Sequence, residues 1–239
     1  MNAIRVGTAG WQIPRTSADA FPPEGTTLQR YAARFPAVEI NSSFHRPHRP
    51  QTYARWAETT PGDFRFALKL PKTITHERRL VDCAEPIRSF LFQISHLGEK
   101  LGPLVVQLPP SLAFDAGVAG AFFATLRERF EGDLACEPRH PSWFGDAGER
   151  LLVEARIARV AADPAKVPAA AVAGGWPGFG YCRLHGSPQM YRSAYGPERL
   201  EVLAADLRSR TVPAWVFFDN TTSGAAAADA LRLQARLSP

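Results

Sequence analysis

The fold class predicted from the sequence is α/β, a single TIM-like (β/α)8 barrel spanning residues 1–239 with one degenerate βα unit near residues 164–180. Three observations predict it. The chain has 239 residues, close to the roughly 250 of one such barrel. Eight short β-rich segments alternate with helix-like stretches, the order that parallel βαβ units require. Ionisable residues gather toward the ends of those segments and on one alternating face, where a barrel of this type carries its chemistry.

Taken in order, the strands are expected at 4–8, 38–41, 64–70, 104–108, 134–139, 159–163, 181–185 and 214–219. Helices are expected at 26–35, 51–58, 86–98, 115–130, 147–157, 197–208 and 224–237. Pro86 and Pro197 stand in first turns, where a missing N–H costs nothing, and Pro50 directly precedes another start. Between Asp163 and Tyr181 the chain reads PAKVPAAAVAGGWPGFG. Its prolines and glycines leave room for little more than a turn or two of helix, so an irregular connection is expected there.

Composition narrows the function classes. An apolar fraction of 45% and a charged fraction of 21% describe an ordinary globular chain and exclude a disordered one. Lys plus Arg exceeds Asp plus Glu by 28 to 23, which favours anionic partners. No run of basic residues marks a nucleic-acid tract, and an Arg-rich helical surface accounts equally well for the excess. Cys83, Cys136 and Cys182 show no CxxC spacing, so neither a disulfide framework nor a structural zinc site is indicated, and a cytoplasmic location is expected. Residues 1–5 lack the apolar core of a signal peptide, and no apolar run approaches the ~18 residues of a membrane span.

Strand alternation separates two sets of side chains, because successive residues of a strand point to opposite faces. Leu68, Val106, Cys136, Leu184 and Val216 fall in the apolar set expected under the helices. The other set turns polar toward each strand's end and supplies Glu39, Asn41, Lys69, Gln107, Glu137, Arg139, Asp163, Arg183, His185 and Asp219. Barrel interiors are normally filled with branched apolar residues, and stability alone is a poor reason to bury so many charges. The set therefore reads as a pocket. Loops add Trp11 as a stacking surface, His76 and His140 with Trp143, and Asn220 in a polar run entering the last helix, a plausible anion cradle.

With these residues in view, the chain resembles the YecE-like family, known as domain of unknown function 72. The matching pieces are GTAGW at 7–11, VEINSSF at 38–44, RW at 55–56, TPGDFRFALK at 60–69, TH at 75–76, QLPPS at 107–111, EPRHPSW at 137–143, RLHG at 183–186 and FFDNT at 217–221. Their order and spacing carry the resemblance. It implies a TIM-barrel-like fold with these motifs at one mouth, and no established activity. His45 stands where the family usually has Tyr, and Asp219 where asparagine is usual; the second change adds negative charge to the mouth.

The reading that follows is an enzyme acting on a small anionic or polyhydroxylated, sugar-like molecule. Glu39, Lys69, Glu137 and His185 are its catalytic candidates: a carboxylate as base, the imidazole as acid, the amine as electrophile or Schiff-base nucleophile. Trp11, Asn41, His76, Gln107, Arg139, His140, Trp143, Arg183, Asp219 and Asn220 are the binding candidates, with the two arginines holding a phosphate or carboxylate. The alternatives are a metal-dependent barrel that processes or binds nucleic acid through Glu39, Glu137, Asp163, His185 and Asp219, or a non-catalytic binding module. A divalent metal is disfavoured because Lys69, Arg139 and Arg183 compete for the same carboxylates. The cofactor, reaction, substrate and oligomeric state stay open.

Overall fold

The computed structural model describes residues 3–238. Strands β1 (Ile4–Thr8), β2 (Ala37–Ile40), β3 (Arg65–Lys69), β4 (Leu101–Gln107), β5 (Leu134–Glu137), β6 (Ile157–Arg159), β7 (Ala161–Asp163), β8 (Gly174–Gly175), β9 (Gly180–Leu184) and β10 (Ala214–Phe218) form two sheets. One has four strands in the order β1-β10-β9-β7, the other six in the order β2-β3-β4-β5-β6-β8. Every pairing is parallel except that of β8 with β6.

One isolated bridge and one short stretch of chain join the sheets. Ala9 bridges to Glu39 just beyond β1, with the Gly10 N–H donating to the Glu39 carbonyl at 2.8 Å. On the other side only Val160 separates β6 from β7, and its N–H donates to the Cys136 carbonyl at 2.8 Å. Gly7 is required at the first junction, because a Cβ there would lie 2.1 Å from the Ala37 carbonyl oxygen. The Tyr31 hydroxyl ties the same place together, accepting from the Thr8 N–H at 2.8 Å and donating to the Ala37 carbonyl at 3.1 Å.

Helices α1 (Thr27–Ala32), α2 (Ser42–His45), α3 (Pro50–Glu58), α4 (Ala84–Ile94), α5 (Ala116–Arg127), α6 (Asp146–Glu154), α7 (Pro197–Ser209) and α8 (Ala225–Leu237) connect the strands. Local chemistry starts them: Thr26 and Gln29 form a reciprocal capping box at α1, Asp115 caps α5, and prolines open α3 and α7. None is long and apolar enough to cross a membrane.

Two apolar clusters lie on the two faces of the strands. The larger joins Val38, Leu68, Val106, Leu134 and Val216 to helix residues such as Phe90, Phe123 and Leu233. The smaller faces the other way and is asymmetric. Ala37, Ala67, Ala135 and Ala158 come from one sheet, while Tyr181 of β9, Trp215 and Phe217 of β10 and Phe179 just before β9 fill the space those alanines leave. The strand alternation read from the sequence is the alternation between these clusters.

Several boundaries differ from expectation. α1 stops at Ala32, three residues early, and the chain turns through Arg34 and Phe35 on bonds to the Tyr31 carbonyl. The sixth strand begins at Ile157 and breaks at Val160. A single turn, α2, follows β2, and a π-helical turn spans Thr73–Glu77. The 164–180 connection holds a 3-10 turn at Pro168–Ala171 and β8.

Candidate functional site

The strand ends carry an ionic cluster built around Arg183 on β9, whose side chain is 1% exposed. Its Nη2 donates to Glu39 Oε1 at 2.8 Å and its Nε to Glu39 Oε2 at 3.1 Å. Its Nη1 donates to Glu137 Oε2 and, at 3.5 Å, to Gln107 Oε1, while Nη2 also reaches Asp219 Oδ2 at 3.4 Å. Strands β2, β4, β5 and β9 and the residue after β10 therefore converge on one guanidinium. Tyr181, two residues earlier on the same face, donates its hydroxyl to Glu39 Oε2 at 2.7 Å.

Glu137 is shared. Arg139 Nε donates to its Oε1 at 2.7 Å, and His185 Nε2 lies 3.5 Å from that oxygen, too poorly aligned for a hydrogen bond. Burial pushes the Glu137 carboxyl up, but Arg183, Arg139 and His185 together hold it well below the usual carboxylate range. Among the described residues the two terminal nitrogens of Arg139 make no hydrogen bond, and its side chain is 13% exposed. Four of its five N–H donors are unused.

His185 pairs through Nδ1 with Asp219 Oδ2 at 3.0 Å. Burial alone would lower the imidazole pKa; the Asp219 bond and the Glu137 carboxylate outweigh it and raise the pKa above the ordinary value. Asp219 is lowered in turn, with His185 and Arg183 overcoming its burial. Lys69 projects its Nζ over the Phe44 ring, 3.7 Å from the centroid, and makes no hydrogen bond or ion pair among the described residues. Burial, then Arg183, push its amine down to about 8, against an opposing pull from Glu137 and Glu39. His76 packs edge-on against Phe44 at 4.9 Å, and burial, Lys69 and Arg139 lower its pKa.

Glu39, Lys69, Gln107, Glu137, Arg139, Arg183, His185 and Asp219 thus meet, with His76 beside Lys69. Asn41 is half-buried, and its Oδ1 is buried without a partner. The remaining residues lie apart. Asp163 shares its register with Leu184, on the helix side, and pairs with Arg199 at 2.7 Å; Ala162 takes the position facing Arg183's layer. Asn220, one step past Asp219, likewise points under α8 and donates to Asp229 at 2.7 Å. Trp143 is 1% exposed, packs on Phe114 and donates to the Leu112 carbonyl at 2.9 Å, so its ring is core. His140 caps its own turn through Ser142, and Trp11 packs edge-on against Trp56 at 4.8 Å.

Sequence reasoning missed four participants. Tyr181 was legible as an inward residue but not as a partner of Glu39. Phe44 carried no signal beyond its motif. Tyr191, packed edge-on against His185 at 5.7 Å, and Lys166, which lines a narrow gap with Glu137, Arg139 and His185, lie in irregular segments without periodicity. Among the described residues, no three His, Cys, Asp or Glu side chains are arranged to hold a metal.

Parallel strands followed by helices, with the ionic cluster at the strands' C-terminal ends, define an α/β protein whose solved neighbours include TIM barrels. One is a xylose isomerase-like TIM barrel fused to a 4-hydroxyphenylpyruvate dioxygenase, matched with a TM-score of 0.50 at 13% identity over 97% of this chain and 41% of that one; it speaks for the fold alone. The chain belongs to the DUF72 family, described as a protein of unknown function, whose profile matches residues 5–239. It is similar to the UPF0759 protein YecE of Escherichia coli K12, with 32% identity over 173 residues, 70% of this chain and 61% of that protein. It is also similar to a crystal structure of a DUF72 family protein from Thermotoga maritima, with a TM-score of 0.81, 28% identity and 99% of each chain covered.

Proposed function

We propose that this chain is an enzyme acting on a small anionic, phosphorylated or carboxylated, or sugar-like substrate, at the C-terminal mouth of one barrel into which its two sheets close. The Ala9–Glu39 bridge and the Val160 link support the closure. The observation that carries the function is the pair of unused terminal nitrogens of Arg139 beside the His185–Asp219 pair. A guanidinium whose two terminal nitrogens are free binds phosphate or carboxylate bidentately through them.

The other roles follow from what each group has left to give. Arg183 has no nitrogen free, so it positions Glu39, Glu137 and Asp219 rather than receiving substrate. Glu137, held far into its ionised range, is a weak base, and proton transfer falls to His185, an imidazole that the Asp219 bond and Glu137 carboxylate make more basic. The nucleic-acid reading through a metal draws no support from carboxylates that already serve guanidinium groups.

A thermal-shift panel of phosphorylated and carboxylated metabolites tests the proposal. Stabilisation by at least one anion, lost in Arg139→Ala, is expected. A flat panel, or identical shifts in that variant, would remove the anion site. A ligand that binds but is never turned over, by wild type or His185→Asn alike, would leave a binding module instead.

A further inference from the structure

The chain holds 28 Lys and Arg residues, of which only four are lysines: Lys69, Lys72, Lys100 and Lys166. Where this protein needs a fixed cation it uses arginine, as at positions 139, 159, 183 and 199. Lys100 is structural, donating to the Ala57 and Thr60 carbonyls at 2.5 Å, and Lys72 is an exposed ion-pair partner of Glu77 at 2.8 Å. Lys69 differs from both. Its residue is 9% exposed at the end of β3, its amine touches no acceptor, and the groups around it are Arg183, Arg139 and His76 as well as Glu137, Glu39 and Asp219. The nearby carboxylates Glu39 and Glu137 spend their oxygens on Arg183, Arg139 and Tyr181 instead. A buried amine beside fixed cations is the arrangement that keeps a lysine nucleophilic, and arginine in its place could never lose its proton.

Resting on the reading of the mouth given above, we propose that Lys69 is a Schiff-base nucleophile and that the substrate is an aldehyde or ketone carrying a carboxylate or phosphate. The nitrogen lone pair forms the new C–N bond while the carbonyl π pair moves to oxygen. The amine proton transfers to that oxygen, giving a carbinolamine. Protonation of the hydroxyl, with His185 as the acid of this site, expels water and leaves a protonated C=N bond. Neutral amine plus carbonyl plus the proton from His185 thus becomes iminium plus water, leaving His185 neutral, with no oxidant or reductant needed. The substrate's anion lies on Arg139, and Phe44 forms the apolar wall under the amine.

Borohydride trapping on the full chain tests this, with glyoxylate, pyruvate and glycolaldehyde phosphate as probes. Hydride reduction of the C=N bond fixes an adduct with the mass of the probe less one oxygen, and peptide mapping locates it. Lys69 is expected to be labelled roughly tenfold or more faster than Lys72 and Lys166 near neutral pH, since burial beside Arg183 and Arg139 lowers its amine to about 8 and the carbonyl's anion is held next to it. Lys69→Arg, which keeps the charge, is expected to remove that adduct while leaving thermal unfolding cooperative. Labelling of Lys72 or Lys166 at the rate of Lys69, or no adduct at Lys69 from any probe, overturns the proposal. Lactate and glycerol phosphate, which lack a carbonyl, separate the two readings. If they stabilise the protein through Arg139 while no probe is trapped, the Schiff base falls and the anion site stands. Trapping at Lys69 without any anion stabilisation does the reverse.

Discussion

Arg183 and Glu39 meet through two nitrogens and two oxygens, at 2.8 and 3.1 Å, with side chains 1% and 0% exposed. So deep a pair is costly to build and costlier to break, because removing one partner strands the other charge. Arg183→Met strands Glu39 and takes one of the two arginines from Glu137, and is expected to cost about 3–5 kcal/mol. Glu39→Gln leaves Arg183 with Glu137 and Asp219, and is expected to cost about 1–3 kcal/mol. Urea denaturation of both variants measures the asymmetry; equal losses would show that the cluster is not organised on Arg183.

Lys69 leads to a gain in stability. Its folded pKa of about 8 lies below the ordinary 10.5, so folding expels a proton between those values and stability rises with pH across that window. At neutral pH the charged amine is therefore a penalty. Lys69→Met keeps an unbranched apolar chain over Phe44 and is expected to raise stability by on the order of 1–3 kcal/mol at pH 7. The advantage should shrink toward pH 10, where the wild-type amine is neutral. A variant less stable than wild type at pH 7 would mean that the neighbouring carboxylates stabilise the ammonium after all.

Much of this site was legible because strand alternation is a strict period of two. Once Glu39, Lys69, Gln107, Glu137 and Arg183 are placed on one face, parallel pairing must bring them to one end. The same rule corrects Asp163: with Val160 inward, Ala162 is inward and Asp163 faces α7, where Arg199 receives it. Loops obey no such period. Trp143 and His140 follow Pro138 into a 3-10 turn that sends the indole into the core, and nothing in the local pattern announces that turn's direction. Lys166 and Tyr191 come to the mouth from segments fixed only by tertiary packing.

The junction of β1 with β2 can be tested separately from the charges. A Cβ on Gly7 would sit 2.1 Å from the Ala37 carbonyl oxygen, and that oxygen belongs to backbone that cannot rotate away. Gly7→Ala must therefore push the two strands apart, and a loss of about 1–3 kcal/mol is expected. The separation would also loosen the Ala9–Glu39 bridge that sets Glu39's height. Chemical denaturation, with Gly102→Ala as a comparison whose contacts begin at 3.1 Å, measures it. Gly7→Ala is expected to be the worse of the two, and the reverse order would refute close approach at the β1–β2 junction.

His185 gives the cluster a dependence on pH whose sign is opposite to that of its carboxylates. Its folded pKa lies above the unfolded value near 6.5, because the Asp219 hydrogen bond and Glu137 outweigh its burial. The stability this contributes is fully present below about pH 6.5 and is lost as pH rises through the folded pKa. Glu137 and Asp219 are depressed instead, so their contribution is present above about pH 4 and is lost as pH falls through their folded values. Between those limits His185⁺ and both carboxylates are ionised together, and the cluster should be at its firmest near pH 5–6. His185→Asn keeps a polar side chain but cannot carry the proton. The stability difference between wild type and this variant is expected to be largest in that window and to fall as pH rises through the folded pKa of His185. A difference that stays constant from pH 5 to pH 8 would show that folding leaves the imidazole pKa where it stands in the unfolded chain, and a difference that rises with pH would show a neutral imidazole, which could not be the acid of the site.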